Sequence, residues 1–349
     1  MPIRPAFRPW SVALDQFPAD GSAVDQARFL LRIAALAPSD QNLQPWKFKV
    51  DSDGSILVHH DPSRRTPLLD PEGRFHLMAA GAATKLLMLA GEYYGMDSTT
   101  ELFPEGSDNG STLVSRVRFN KEGYCSPFAR ELLPQVARRR TVESEFAREY
   151  PTDQIRLDLR TAVEFHEIAW EFVADLTARE HLAQLIGEAE LQLLRNADFR
   201  RELASCMRTN LTWRRDGVPG WQNGHGLLRS FIAPWQVRTG GTEALKRIDR
   251  ARQQVMHSPV LLVVGTWKDD LSLMPAVGGA IMMLHLTATQ FHLSLGNLNA
   301  VMRVPELRMQ LRHNLFNENV IPQALLRIGY APPVKPSPKR PLRAMLVKG

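Results

Sequence analysis

Two stretches of this chain are apolar on every side. Residues 76–96 read HLMAAGAATKLLMLAGEYYGM, and residues 274–294 read MPAVGGAIMMLHLTATQFHLS. A surface helix keeps a polar stripe, so a helix without one has to be enclosed. Each stretch carries small residues near its start, which let another backbone come close. With Gly81 set against Gly279, Ala82 aligns with Ala280, Leu86 with Leu284, Ala90 with Ala288 and Tyr93 with Phe291. This pairing predicts two similar halves, each giving one helix to a common centre. Residues 271–302 contain no Asp, Glu, Lys or Arg. Pro275, Gly278, Gly279, His285, Thr287, Thr289, Gln290 and His292 interrupt that run, so a helix buried in a soluble protein is expected rather than a membrane span.

The 349 residues suit about two domain-sized units. Apolar periodicity predicts a helix over 24–36. A hairpin is expected from strands 47–50 and 56–60 around Asp51-Ser52-Asp53-Gly54. Loop and then strand follow over 98–120, with the strand at 112–119, and helices over 128–137 and 144–150. A long amphipathic pattern runs through 177–207, and the β-branched run PVLLVVGT at 259–266 suits a central strand. Residues 213–236 hold four glycines, two prolines and three tryptophans. Such a segment serves as a lid or binding loop, or is a loop anchored by its tryptophans. The tail, PPVKPSPKRPLR, reads as extended and surface-lying.

Formal net charge is +6 and the pI is about 9.5. A diffuse basic excess favours small anions such as phosphates and does not argue for nucleic acid. Cys125 and Cys206 stand far apart with no Cys-x-x-Cys spacing, so a reducing, cytoplasmic setting is expected. Residues 1–10 carry Arg4 and Arg8 but no apolar core of a secretory signal. No phosphate-binding glycine motif, nucleophile elbow or zinc-protease motif occurs. His59 and His60 face opposite sides of a strand, and His285 and His292 lie two helical turns apart, so no metal is expected.

The chemistry concentrates elsewhere. Residues 37–48 read APSDQNLQPWKF, with Ser39, Gln41, Asn42 and Gln44 between two prolines. A stiff loop so rich in hydrogen-bonding groups suits a planar, polar-edged ligand. Arg138-Arg139-Arg140-Thr141 can grip a phosphate or form a solvated face. Lys339-Arg340 and Arg64-Arg65 are further cationic pairs with the same two readings.

Together these features resemble the nitroreductase-like flavoprotein family, and within it the long, internally duplicated Acg-like branch. The resemblance spans residues 25–345. It rests on Ala-Pro-Ser-x-x-Asn-x-Gln-Pro-Trp (37–46), Asp-x-x-Arg (61–64), Asp-Pro-x-Gly-Arg (70–74), Arg-Arg-Thr (139–141) and Arg-Asp-Gly-x-Pro (215–219). It implies an α+β fold in which a central, mostly antiparallel sheet is wrapped by helices and two halves form a pseudo-dimer. The halves would be 1–125 and 126–330, the second with a lid-like insertion at about 208–240, followed by the tail 331–349.

The resemblance further implies FMN, with Ser39, Gln41, Asn42 and Gln44 along the ring or ribityl chain. Arg139, Arg140, Thr141, Lys339 and Arg340 would lie at the phosphate or ring edge, and Gly296 near the reactive ring face. NADH or NADPH would be the donor and a nitro, quinone, enone or natural-product molecule the acceptor. A monomeric pseudo-dimer or homodimer is expected, acting on a small molecule, with neither nucleic acid nor membrane as partner. Glu143 and Glu145 follow Thr141 where the family carries a further arginine. A carboxylate 4 Å from a phosphate costs about 4 kcal/mol at an effective dielectric near 20. A flavin-sequestering protein and a flavin-independent biosynthetic relative are therefore the alternatives.

Overall fold

A computed structural model describes residues 5–107, 110–120, 122–164, 167–316 and 319–347; Arg4 lies outside them. In the first half come α1 (Ala23–Ala34), β1 (Trp46–Val50), β2 (Ile56–His60), α2 (Arg74–Tyr93), β3 (Asp97–Leu102) and β4 (Leu113–Asn120), and α3 (Pro127–Leu132) follows just past the expected boundary at 125/126. The second half continues with α4 (Asp153–Thr161), β5 (Ile168–Phe172), α5 (Leu176–Arg195) and α6 (Ala197–Cys206). An inserted stretch holds the two-residue strands β6 (Met207–Arg208) and β7 (Val218–Pro219), then α7 (Leu227–Thr239) and α8 (Thr242–His257). The half closes with β8 (Val260–Thr266), α9 (Met274–Gln290), β9 (Ser294–Asn297), α10 (Pro305–Phe316) and β10 (Ile321–Gly329).

Two antiparallel four-stranded sheets result, ordered β1-β2-β4-β3 and β5-β8-β10-β9. Numbered within its own half, each sheet runs first, second, fourth, third. In each, the apolar helix joins the second strand to the third. The α+β class expected from the resemblance holds, with two sheets flanking the paired helices in place of one central sheet. β8 is buried along its whole length between β5 and β10, as its β-branched run requires.

The centre is the crossing of α2 and α9. A Cβ on Gly81 would overlap the backbone of Pro275, and one on Gly278 would overlap Met78. Each glycine thus receives the other helix's backbone. Both contacts exchange under one shift of 197 positions, taking 81 to 278 and 78 to 275. The same shift carries the helix end at Tyr93 to Gln290, the left-handed Gly95 to His292, and the start of β3 at Asp97 to Ser294. The sequence alignment of Gly81 with Gly279 is therefore one residue out of step. Two nearly featureless apolar helices slide past one another in sequence without penalty; only the backbone approach fixes the register. Leu271–Gln290 is apolar enough to cross a membrane, but 72% of its most apolar window is buried within the fold.

Several local expectations change. Residues 98–102, expected as loop, belong to strand β3, which pairs with β4. Residues 144–150 are not helical. The pattern over 177–207 breaks at Asn196, whose side chain caps α6 by accepting from the backbone N–H groups of Asp198 and Phe199. Ten of the 24 residues in the segment 213–236 are α-helical, as the start of α7. The tail is extended and lies on the surface over its first residues, with Pro332, Pro333 and Lys335 exposed, but it then sinks into the fold: Lys339 is 1% exposed and Met345 fully buried. It crosses back to the first half, where Phe48 N donates to Met345 O (2.8 Å) and Val347 N to Phe48 O (2.8 Å). Proline removes donors that a buried extended chain would otherwise leave unpaired, so Pro-rich composition is compatible with either location.

Candidate functional site

Where the 37–48 loop meets the second half and the returning tail, a cleft of about 1500 Å³ opens, mouth included. The loop is a strained frame. Gln41, Asn42 and Gln44 have φ of 47°, 52° and 53°, left-handed values that cost non-glycine residues about 1 kcal/mol each or more. Bonds from three segments hold it. Ser39 Oγ accepts from Gln44 N (2.9 Å), and Gln44 Nε2 donates to Asn42 O (3.1 Å) and Arg215 O (2.8 Å). Asn42 Nδ2 donates to Gly217 O (3.1 Å) and Pro338 O (2.9 Å). Such strain persists only where the surrounding contacts over-determine it.

Six of the ten candidates from the sequence line the cleft: Ser39, Gln41, Asn42, Arg139, Thr141 and Lys339. Gln44, Arg140, Gly296 and Arg340 lie outside its wall. Arg340 and Gln44 clasp each other, through Arg340 N to Gln44 Oε1 (2.8 Å) and Arg340 Nη1 to Gln44 O (3.0 Å). Arg140 turns back to the carbonyls of Ala137 (2.9 Å) and Arg139 (2.7 Å). Gly296 packs against Val142 O and Arg327, where a Cβ would lie 2.5 and 2.6 Å from their atoms. These residues build the cleft from behind.

Two cations at one end of the cleft are short of partners. Lys339 Nζ makes one hydrogen bond, to Ala37 O (2.6 Å). Arg139 reaches Thr141 Oγ1 (3.3 Å) and Leu36 O (3.4 Å), and its buried Nε has no partner. Neither is ion-paired to a carboxylate of the described residues. Burial, reinforced by the nearby Arg140, draws the Arg139 guanidinium down to about 9. Burial, with Arg139 adjacent, draws the Lys339 ammonium well below its ordinary value. Both surround Trp10, at 5.7 and 5.6 Å from its ring centroid. Guanidinium resists giving up its proton, so such a pair keeps its charge by acquiring an anion.

The rest of the wall is already neutralised. Arg303 pairs with Asp40 (2.9 Å) and Arg247 with Glu190 (2.9 Å). Glu243 binds Arg229 (2.7 Å), Arg250 (3.2 Å) and His225 (3.2 Å). Of the two carboxylates expected to repel a phosphate, Glu145 is exposed and away from the cleft. Glu143 does line it; burial raises its pKa while Arg327 and Arg247 oppose the rise. Glu243, Arg247, Arg250 and Gln254 follow i, i+4, i+7, i+11 spacing on α8 and all line the cleft. That polar stripe was legible in the sequence, although nothing in it said which way it faced.

No family model matches the chain. A Mycobacterium tuberculosis (strain H37Rv) protein that carries the provisional name NAD(P)H nitroreductase Acg is 24% identical over 323 residues, covering 91% of this chain and 94% of its own. A second protein of that organism, with the same kind of name, is also 24% identical over 323 residues, covering 91% and 90%. The chain is similar to these Acg-like proteins along nearly their whole length. Among solved structures, the nitroreductase NfnB from Mycobacterium smegmatis in complex with NADPH aligns at a TM-score of 0.41 and 15% identity, covering 63% of this Acg-like chain and 99% of its own. The NADPH:FMN oxidoreductase from Vibrio harveyi aligns at 0.35 and 15%, covering 59% and 72%.

Proposed function

We propose that this Acg-like protein is an FMN-dependent oxidoreductase that takes reducing equivalents from NADH or NADPH. The observation that carries the reading is the pair Arg139 and Lys339, buried, without an acid, at the end of a cleft whose adjoining wall is the strained 39–42 loop. A dianionic phosphate supplies the missing counter-charge, and the orphaned Arg139 Nε and the spare Lys339 donors fit its oxygens. Bound FMN supplies hydride and electron transfer. The chain's own residues hold and orient it: Arg139, Lys339 and Thr141 at the anionic end, Ser39, Gln41 and Asn42 along a polar edge. The wall formed by α5 and α8 faces the space left for an acceptor. Its paired acids and bases suit a polar nitro, quinone, enone or natural-product molecule.

A second reading is a flavin-sequestering protein. Val218, Gln222, Asn223, His225 and Val237, all from the inserted stretch, roof the cleft and would slow release of what it holds. Titration with FMN followed by anaerobic addition of NADH and NADPH separates the two. Flavin binding with rapid bleaching and turnover supports the oxidoreductase; binding without reduction supports sequestration. No flavin absorbance after addition of FMN overturns both and favours a flavin-independent relative.

A further inference from the structure

Helix α7, LLRSFIAPWQVRT, is amphipathic with its apolar face turned outward. Ser230, Ala233 and Val237 are buried, and Val237 looks into the cleft. Leu227, Leu228, Phe231, Ile232 and Trp235 occupy the opposite face and are 49, 80, 52, 51 and 64% exposed. At roughly 200 Å² per large side chain, this stripe leaves on the order of 600 Å² of apolar surface in water, the upper end of what a monomer shows. Leu211 and Trp213 stand beside it, 49 and 79% exposed, because Asn210 is tied to Ser230 Oγ (3.0 Å) and His225 O (2.8 Å).

Residues 208–252 contain nine Lys or Arg against three Asp or Glu, a net +6, and the rest of the chain has 34 of each and is neutral. The basic excess is therefore local, not diffuse as composition suggested. Part of the basic charge of this stretch is exposed: Arg214, Arg229, Arg238, Lys246 and Arg252 against Asp249, whereas Arg208, Arg247 and Arg250 are paired with Asp216, Glu190 and Glu243. α7 has no acidic residue; Arg229 flanks its apolar stripe and Arg238 ends it.

We propose that the outer face of α7 docks on an anionic lipid surface. Leu, Phe, Ile and Trp on one side of a short helix, with cations at its margins and no acid, is the pattern of a helix lying in a membrane interface. The local charge attracts the surface before the apolar stripe enters it. A second copy of the chain is disfavoured, because pairing two such faces sets the exposed Arg229 and Arg238 of one copy against those of the other. The contact is peripheral and leaves α9 buried. It reverses the expectation that no membrane takes part. Since α7 roofs the cleft with its inner face, docking places the cleft beside lipid-dissolved molecules.

Vesicle flotation tests this, using the full chain with phosphatidylcholine vesicles containing or lacking phosphatidylglycerol. The expected result is flotation with the anionic vesicles, weakening as salt rises, with a blue shift of tryptophan fluorescence. The double variant Leu228→Glu/Trp235→Glu should lower the partition at least about tenfold. Leu157→Glu, equally exposed on α4 (52%), should leave it unchanged. Absence of flotation overturns the proposal. So does a wild-type mass of two chains that falls to one in the double variant, which would assign the face to a second copy. Loss of FMN binding leaves this result unaffected, so the two readings fail independently.

Discussion

Replacing Lys339 by methionine should stabilise the protein without FMN and weaken its grip on FMN. Lys339 is 1% exposed and makes a single hydrogen bond, to Ala37 O. An ammonium taken out of water without an acid costs several kcal/mol. Methionine fills similar volume and removes that cost. It also leaves Ala37 O without its donor, a loss of about 1 kcal/mol. Taking the desolvation penalty at ~3 kcal/mol, the net gain for the FMN-free protein is about 2 kcal/mol. With FMN bound the sign reverses, because a charge-assisted contact worth about 1.5–3 kcal/mol is lost, a fall of roughly 10- to 150-fold in affinity. Urea unfolding without FMN and fluorescence titration with FMN read the two effects. The pH dependence gives a third. Lys339 is held below its ordinary 10.5. Between the lowered folded value and 10.5 the unfolded chain binds more protons, so stability of the FMN-free protein rises with pH in that window. In Lys339→Met that rise should disappear. A variant that unfolds more easily without FMN, yet binds FMN within about twofold of wild type, would show that Lys339 is a structural donor and not half of an anion site.

Gly278→Ala and its neighbour Gly279→Ala should differ sharply. A Cβ at 278 overlaps the Met78 backbone, which cannot move without separating α2 from α9, so a loss of ~3 kcal/mol or more is expected. A Cβ at 279 meets only Lys85 Cβ, at 3.5 Å, and should be neutral or slightly stabilising. Thermal melting decides, and equal effects would refute the crossing register. On the acid side, burial holds the pKa of His285 well below 6.5 and lowers that of His76. Below pH 6.5 the unfolded chain takes up protons that the folded one refuses, so stability should fall as pH drops toward those lowered values. His285→Leu should flatten the fall in urea midpoint; an unchanged slope would mean that His285 is not its source.

Much of the site was legible as residue type. Ser39, Asn42, Arg139, Thr141 and Lys339 were singled out, and all line the cleft. Gln44 and Arg340 were also singled out, but they spend their polar atoms on each other. A side chain able to bind a ligand is equally able to bind a neighbouring strand, and sequence does not say which comes first. Asp40, Arg247 and Arg303 went unnoticed because their partners lie on distant segments, as with Asp40 and Arg303.

By itself the sequence determined that two helices must be enclosed, since their apolar residues leave no face for water, and that one loop is dense in hydrogen-bonding groups. It also determined the polar stripe of α8 and the charge carried by residues 208–252. Only the tertiary structure decided the register of the two helices, because that depends on where one backbone meets a missing Cβ. It also decided that Lys339, Arg340 and Met345 of the tail are buried, where hydrogen bonds to Phe48 and Ala6 draw the chain across the first half. The proposed anion site is likewise tertiary: Arg139 and Lys339 lie 200 positions apart in the chain, and their shared lack of an acid among the described residues emerges only once folding has removed both from water.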